Sequence, residues 1–244
     1  MKYIDRSESD GDISAITPVN FFHISADCKC LIGRGGKASS LSDFNLDQKN
    51  YKTYLLPDTS FLCSEESFAE VAMGWSEEGI EVFIIAKLKN TAKSFRQEGN
   101  VGEGNVDFSS GDCVEIFIDT RDVKTATFNT RFCHHFVFRK EVLDGKTAAE
   151  VTHFRTEDTH PLCDPDELQM KCDVKSSIWG KGYSMNIFIP KSCLVGYDSN
   201  QFKRLGFSYR INRCEGFSQH FSVVTDDYQI DQQPSLWSSI NLVS

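Results

Sequence analysis

"GDCVEIFIDTRD", residues 111–122, sets Val114, Ile116 and Ile118 on one side of an extended chain and Cys113, Glu115, Phe117 and Asp119 on the other. Successive side chains of a strand point to opposite faces, so this alternation predicts a strand with one oily side. The aliphatic trio belongs between two sheets. The side bearing Glu115 and Asp119 then forms an exposed or concave face, where a carboxylate keeps its water.

Outward from this stretch the same rhythm recurs. Strand-like runs lie near 19–25, 67–75, 79–88, 131–142, 146–155, 168–178, 182–189, 204–213, 217–224 and 236–242, most of them closed by turn residues. Asp144-Gly145 between two apolar runs is a strong hairpin signal, and "SEEGI" joins another pair. No helical connection of a dozen residues, which a parallel crossover needs, is visible. The expected architecture is all-β: a two-sheet antiparallel β-sandwich of jelly-roll or immunoglobulin-like type with long loops. Residues 1–18 form a polar segment expected to be flexible, and 19–244 one sandwich domain. Gly/Ser/Asn-rich stretches at 26–66 and 89–111 are expected to be long surface loops.

With 244 residues, 40% hydrophobic and 25% charged, the chain can bury a core of its own. The formal charge of −9 and the lack of any Lys/Arg run exclude a nucleic-acid partner or an anionic membrane. The amino-terminal residues carry no apolar secretory core, and the longest apolar run, Val82 to Ala86, is far short of the ~20 residues of a membrane span. A soluble, cytoplasmic protein is expected. Nine cysteines, an odd number spread along the chain, read as free, reduced thiols, several acting as small hydrophobes in strands.

Motifs for chemistry are few. "GRGGK" (33–37) lacks the Ser/Thr and the following helix of a phosphate loop. "CKC" (28–30) and "CHH" (133–135) offer soft ligands but no metal-site spacing; on a strand Cys133 and His135 share a face while His134 points away. No Gly-x-Ser-x-Gly elbow is present. Glu115, Asp119, Glu141 and Glu150 sit on or near strands, but no spacing singles out a catalytic pair. No enzyme activity, cofactor or metal is therefore expected.

The succession "FAEVAMGWSEEGIEVFIIAKLK", "GDCVEIFIDTRD", "YSMNIFIPKSCL", "LGFSYRINRCEG" and "SLWSSINLV", spanning about residues 40–242, resembles the family 9 carbohydrate-binding modules and the wider DOMON-like superfamily. The resemblance implies a sandwich with a concave sheet that holds a sugar between aromatic rings, with strand polar groups bonding its hydroxyls. Glu115 matches a strand carboxylate that accepts sugar hydroxyls. Arg210 and Asn212, opposite in phase to Tyr209 and Ile211, are expected to project into the same groove, and Asn186 likewise. Phe108 and Trp179 are the candidate platforms, while Trp75 and Trp237 read as core.

The implied function is a non-catalytic binding module for a carbohydrate or other small polar ligand. A structural or protein-interaction domain with a protein partner is the alternative. A haem- or metal-binding DOMON relative is the third reading, with axial ligands drawn from Met73, Met185, His134, His135 and His220.

Overall fold

The computed structural model describes residues 24–31, 44–88, 111–143, 145–155, 157, 159–177, 180–214, 216–222 and 229–244. Eleven strands run through them: β1 (Ser25–Cys30), β2 (Ala69–Ser76), β3 (Gly79–Leu88), β4 (Cys113–Asp119), β5 (Cys133–Leu143), β6 (Lys146–Glu150), β7 (Gln169–Ser177), β8 (Gly180–Pro190), β9 (Arg204–Asn212), β10 (Ser218–His220) and β11 (Ser238–Val243). The other regular elements among the described residues are single 3-10 turns. No helix there is long and apolar enough to cross a membrane. The amino-terminal segment 1–18 and most of the loop at 89–111 lie outside the described residues.

The strands form one path, β6-β5-β4-β9-β11-β1-β2-β3-β8-β7, with β10 added beside β9. Most ladders are antiparallel, as the alternation implies. β1, however, pairs in parallel with both β11 and β2. This corrects the expected all-antiparallel, two-sheet arrangement, because β1 welds into one continuous sheet what would otherwise be two. The sheet curls so that its end strands β6 and β7 approach one another, and the result is nearly a barrel. Sequence could not place this strand, since β1 lies within a stretch read as loop and has only Asp27, Cys28 and neighbours to declare it. Its pairing depends on the two edges left for it by distant segments.

Locally the signals were direct. β2 and β3 are joined by Glu77-Glu78, and every residue of β3 pairs with β8. Gly79 opens β3 at φ +150°, where an added Cβ would lie 2.2 Å from the Ile189 carbonyl, so the close approach of β8 demands glycine. In the β5–β6 hairpin Gly145 takes φ +76° and Leu143 faces Lys146; Asp144 itself lies outside the described residues.

The two halves of the curled sheet share one core. Val114, Ile116 and Ile118 of β4 face inward as expected, with Phe136 and Phe138 of β5 and Phe207 and Ile211 of β9. Across from them stand Met73 of β2, Val82 and Ile84 of β3, and Met185 and Ile187 of β8. Trp75 joins this core, whereas Trp237 packs on the opposite side of β4 with Phe117, Cys133 and Ile230. The outer face of the other half is covered by the chain around Leu46 and Tyr51, which pack on Ala72 and Phe83. Neither sheet face is therefore left bare over its middle.

Cysteine usage needs one correction. Cys163 and Cys193 form a disulfide, tying the segment after β6 to the turn after β8, while Cys28, Cys30, Cys133 and Cys172 are free thiols. Residues 30 apart in sequence meet only because β7 and β8 fold back on each other, so spacing could not reveal the pair.

Ile116 is wholly buried where the halves meet. Ile116→Ala is expected to cost about 2–5 kcal/mol by leaving a cavity, read as a lower urea midpoint with an unchanged denaturant slope.

Candidate functional site

The outer face of β4 and its neighbours gathers the polar residues that the sequence marked. β9 runs antiparallel to β4 with Glu115 opposite Arg210 and Cys113 opposite Asn212. On the other side β5 sets His135 opposite Phe117, so the imidazole reaches Glu115 along the diagonal. Register thus supplies Glu115 with three donor side chains from two neighbouring strands.

Each carboxylate oxygen of Glu115 is used twice. Arg210 Nε donates to Oε1 at 2.7 Å and Arg210 Nη2 to Oε2 at 2.6 Å, a bidentate fork. Asn212 Nδ2 donates to Oε1 at 2.5 Å, and His135 Nε2 lies 2.8 Å from Oε2. The Glu115 side chain is fully buried. Burial alone would push its pKa up, but the His135 and Arg210 hydrogen bonds and the Arg210 charge outweigh it and bring it down to about 2.

This corrects the expectation of a solvated carboxylate free to accept ligand hydroxyls. With four donors in place, Glu115 has no lone pair to spare and instead positions the groups around it. Asn212 is used as well, its Oδ1 accepting from Ser218 Oγ at 2.7 Å. Two groups retain capacity. His135 Nδ1 is buried without a hydrogen-bond partner. Arg210, its side chain 26% exposed, uses only Nε and Nη2 in bonds among the described residues, which leaves Nη1.

The wall beside this cluster is aromatic. Phe117 lies 4.4 Å from the His135 ring and 5.7 Å from Trp237, centroid to centroid. Trp237 is buried and its Nε1 donates to the Ile230 carbonyl at 2.8 Å, so this pair is packed against the protein's own chain. Asp119, the second carboxylate of the opening stretch, does a different job. It accepts from the amides of Arg121 and Val123 at 2.9 and 2.7 Å and so shapes the turn that ends β4.

The structure does not bring all the predicted residues together. Asn186 lies on the outer face of the other half, where its Nδ2 donates to the Leu46 carbonyl at 2.6 Å. The strand period located the face of its own strand correctly but could not say which face of the curled sheet that was. Phe108 and Trp179 lie outside the described residues. His135 was weighed only as a metal or haem ligand, yet it completes the Glu115 cluster. The signal was its shared parity with Cys133; the missing information was the β4–β5 register.

The residues considered as haem ligands are scattered. Met73 and Met185 sit in the core, His220 bonds Glu65 at 2.6 Å, and His135 bonds Glu115. A second polar cluster unites His134, Glu150 and His160, whose ligand atoms lie within 4.8 Å of one another. As a metal centre its donor set does not fit. The Val195 amide donates to His134 Nε2 at 3.0 Å, so the hydrogen of that ring sits on Nδ1, the atom that would have to face the ion. Glu150 is held down to about 2: burial opposes ionisation, but the hydrogen bonds from His134 and His160 outweigh it. Neither Glu115 nor Glu150 therefore carries a proton to donate near neutrality.

Comparison with known proteins places the fold. No protein-family model matches the chain, and no curated protein matches it. Among solved structures, a family 9 carbohydrate-binding module from Caldicellulosiruptor kristjanssonii in complex with cellotriose is similar, with a TM-score of 0.53 and 14% identity over 91% of this chain and 94% of that one. The glucose complex from the same organism gives 0.52 and 14% over 90% and 95%. A proposed carbohydrate-binding protein from Bacteroides uniformis gives 0.53 and 9% over 91% and 99%. At such identities the likeness establishes a shared fold along nearly the whole of each chain.

The Glu115 cluster sets a pH dependence. Its folded pKa lies below the ordinary glutamate value of 4.5, so its contribution is complete above that value and disappears as pH falls towards 2. Glu115→Gln, an amide that cannot accept from four donors, is expected to cost about 3 kcal/mol at pH 7, with a gap to the native chain that narrows on acidification. Thermal melts of both proteins from pH 7 to pH 2.5 check it.

Proposed function

We propose that this protein is a non-catalytic carbohydrate-binding module, with Arg210 as the polar group that meets the ligand. The observation that carries the reading is the fold. The chain superposes over nine tenths of its length on modules whose structures contain cellotriose and glucose.

The cluster supports the same reading chemically. A guanidinium clamped at Nε and Nη2 by a buried carboxylate is rigid, so its remaining Nη1 hydrogens point in fixed directions. Fixed donors bind hydroxyl groups without losing side-chain freedom, which is what recognition of a neutral, hydroxyl-rich ring requires. In this reading Glu115, Asn212 and His135 position Arg210. Asn186, engaged on the far side of the sheet, stands outside the site.

A second reading, docking to another protein, is favoured by one observation. Phe61 and Leu62 stand side by side on a surface turn, Phe61 73% exposed. The two readings separate experimentally.

Isothermal titration with glucose, cellobiose and cellotriose is expected to release heat with sub-millimolar affinity for at least one of them. Arg210→Lys, which keeps a charge beside Glu115 but loses the planar fork, is expected to bind at least about tenfold more weakly. Silence across a wider panel of neutral oligosaccharides discards the sugar reading in favour of the second.

A further inference from the structure

At one end of the curled sheet the interior holds more hydrogen-bond donors than acceptors. Arg213, the residue after β9, continues the inward phase of Tyr209 and Ile211, and its guanidinium stacks on the ring of core residue Phe68 at 3.6 Å from the centroid. Arg210, by contrast, lies on the outer face.

The Arg213 backbone is fixed at both polar groups. Its amide donates to the Phe217 carbonyl at 2.9 Å and its carbonyl accepts from the Gly216 amide at 3.0 Å. The side chain then crosses the core from one half of the sheet to the other, where Nη2 donates to the Lys87 carbonyl near the end of β3. Three anchors, two on the backbone and one on the guanidinium, leave it little freedom.

Two nitrogens of that guanidinium are unused. Nε and Nη1 are buried with no hydrogen-bond partner among the described residues, and the whole side chain is only 4% exposed. The exposed carboxylate of Glu66 comes within 3.9 Å of Nη1, which is an ion pair but too long for a hydrogen bond. The charge is loosely balanced and its hydrogens are not satisfied.

A second orphan belongs to the same end of the core. Tyr183 of β8 pairs with Ala86, the neighbour of Lys87, and its hydroxyl is also buried without a partner. Burial raises the Tyr183 pKa, the charge of Asp112 adds to that effect and the charge of Arg213 opposes it, so the phenol keeps its hydrogen and lies within the field of both groups. Asp112 is no acceptor for either. Its Oδ2 takes Lys140 Nζ at 2.7 Å and its Oδ1 takes the Cys214 amide at 2.8 Å.

Buried polar groups carry partners, and those that lack one in the protein mark the place of a water or an ion. A water offers lone pairs but no charge; an oxyanion offers both, and bonds to a guanidinium are about twice as strong when the acceptor is charged. The geometry points to a binding site for a small oxyanion, held by the free hydrogens of Arg213 and the hydroxyl of Tyr183 over the Phe68 ring. The surrounding atoms are buried, so the occupant is of the size of sulfate, phosphate or acetate. This site is separate from Arg210 and does not rest on the sugar reading of that residue.

The full chain, dialysed free of oxyanions and titrated with sulfate, phosphate or acetate against sodium chloride of matched ionic strength, tests this by thermal melting and titration calorimetry. At least one oxyanion is expected to raise the Tm along a saturating curve and to release heat at one site per chain, and the three arms tell an inorganic anion from a carboxylate. Tyr183→Phe keeps the ring and removes an unpaired hydroxyl, so it is expected to melt no lower than the native chain without oxyanion, yet to bind at least about tenfold more weakly. Arg213→Gln is expected to lose the saturating rise altogether. In crystals grown with the preferred anion, its density is expected within hydrogen-bonding reach of both residues. A rise no greater than that with chloride, an equal response in the native chain and Tyr183→Phe, or ordered water alone between Arg213 and Tyr183 each overturns the proposal.

Discussion

A carboxylate removed from water must receive nearly as many donors as it has lone pairs, and this constraint organises the molecule around its strands. Glu115 meets it through Arg210, Asn212 and His135, Glu150 through two imidazoles, a hydroxyl and an amide. Glu81 meets it with the amides of Asn45 and Leu46 at 3.0 and 2.7 Å. For Glu115 and Glu81 the donors come from segments distant in sequence, and for Glu150 from β5 and from the chain that follows β6, so a satisfied carboxylate is also a fastener. The Glu81 bonds hold the covering segment over one outer face. Those of Glu150 hold the segment that leads to the disulfide.

The same economy decides what the Glu115 face can do. Had Glu115 stood in solvent, it would have been the natural acceptor for a ligand. Saturated, it holds the Arg210 guanidinium in one orientation through a bidentate bond. The buried Phe117–Trp237 pair stiffens the wall beside it, since both rings are spent on packing against Ile230.

Curling one sheet on itself has a further consequence for surfaces. Both outer faces acquire covers from their own chain, Leu46 and Tyr51 on one and Ile230 and Trp237 on the other. A face that would be a groove in an open sandwich becomes a partly lidded one, and polar residues assigned to a single groove by strand parity end on opposite sides of the fold. Asn186 and Glu115 are the instance.

What could be read from sequence alone was everything that depends on neighbours along the chain. The period of two placed Val114, Ile116 and Ile118 in the core, located nearly all the strands, and put Glu115, Arg210 and Asn212 on one side. Glycine at 79 and 145 marked turns because backbone sterics are local. Tertiary structure alone decided what depends on register and on edges. β1 joined two sheets in parallel, His135 reached Glu115 along a diagonal, His160 met Glu150, and Cys163 met Cys193. Side-chain parity says which face a residue shares within its own strand, but only the pairing of strands far apart in sequence sets which residue it meets there.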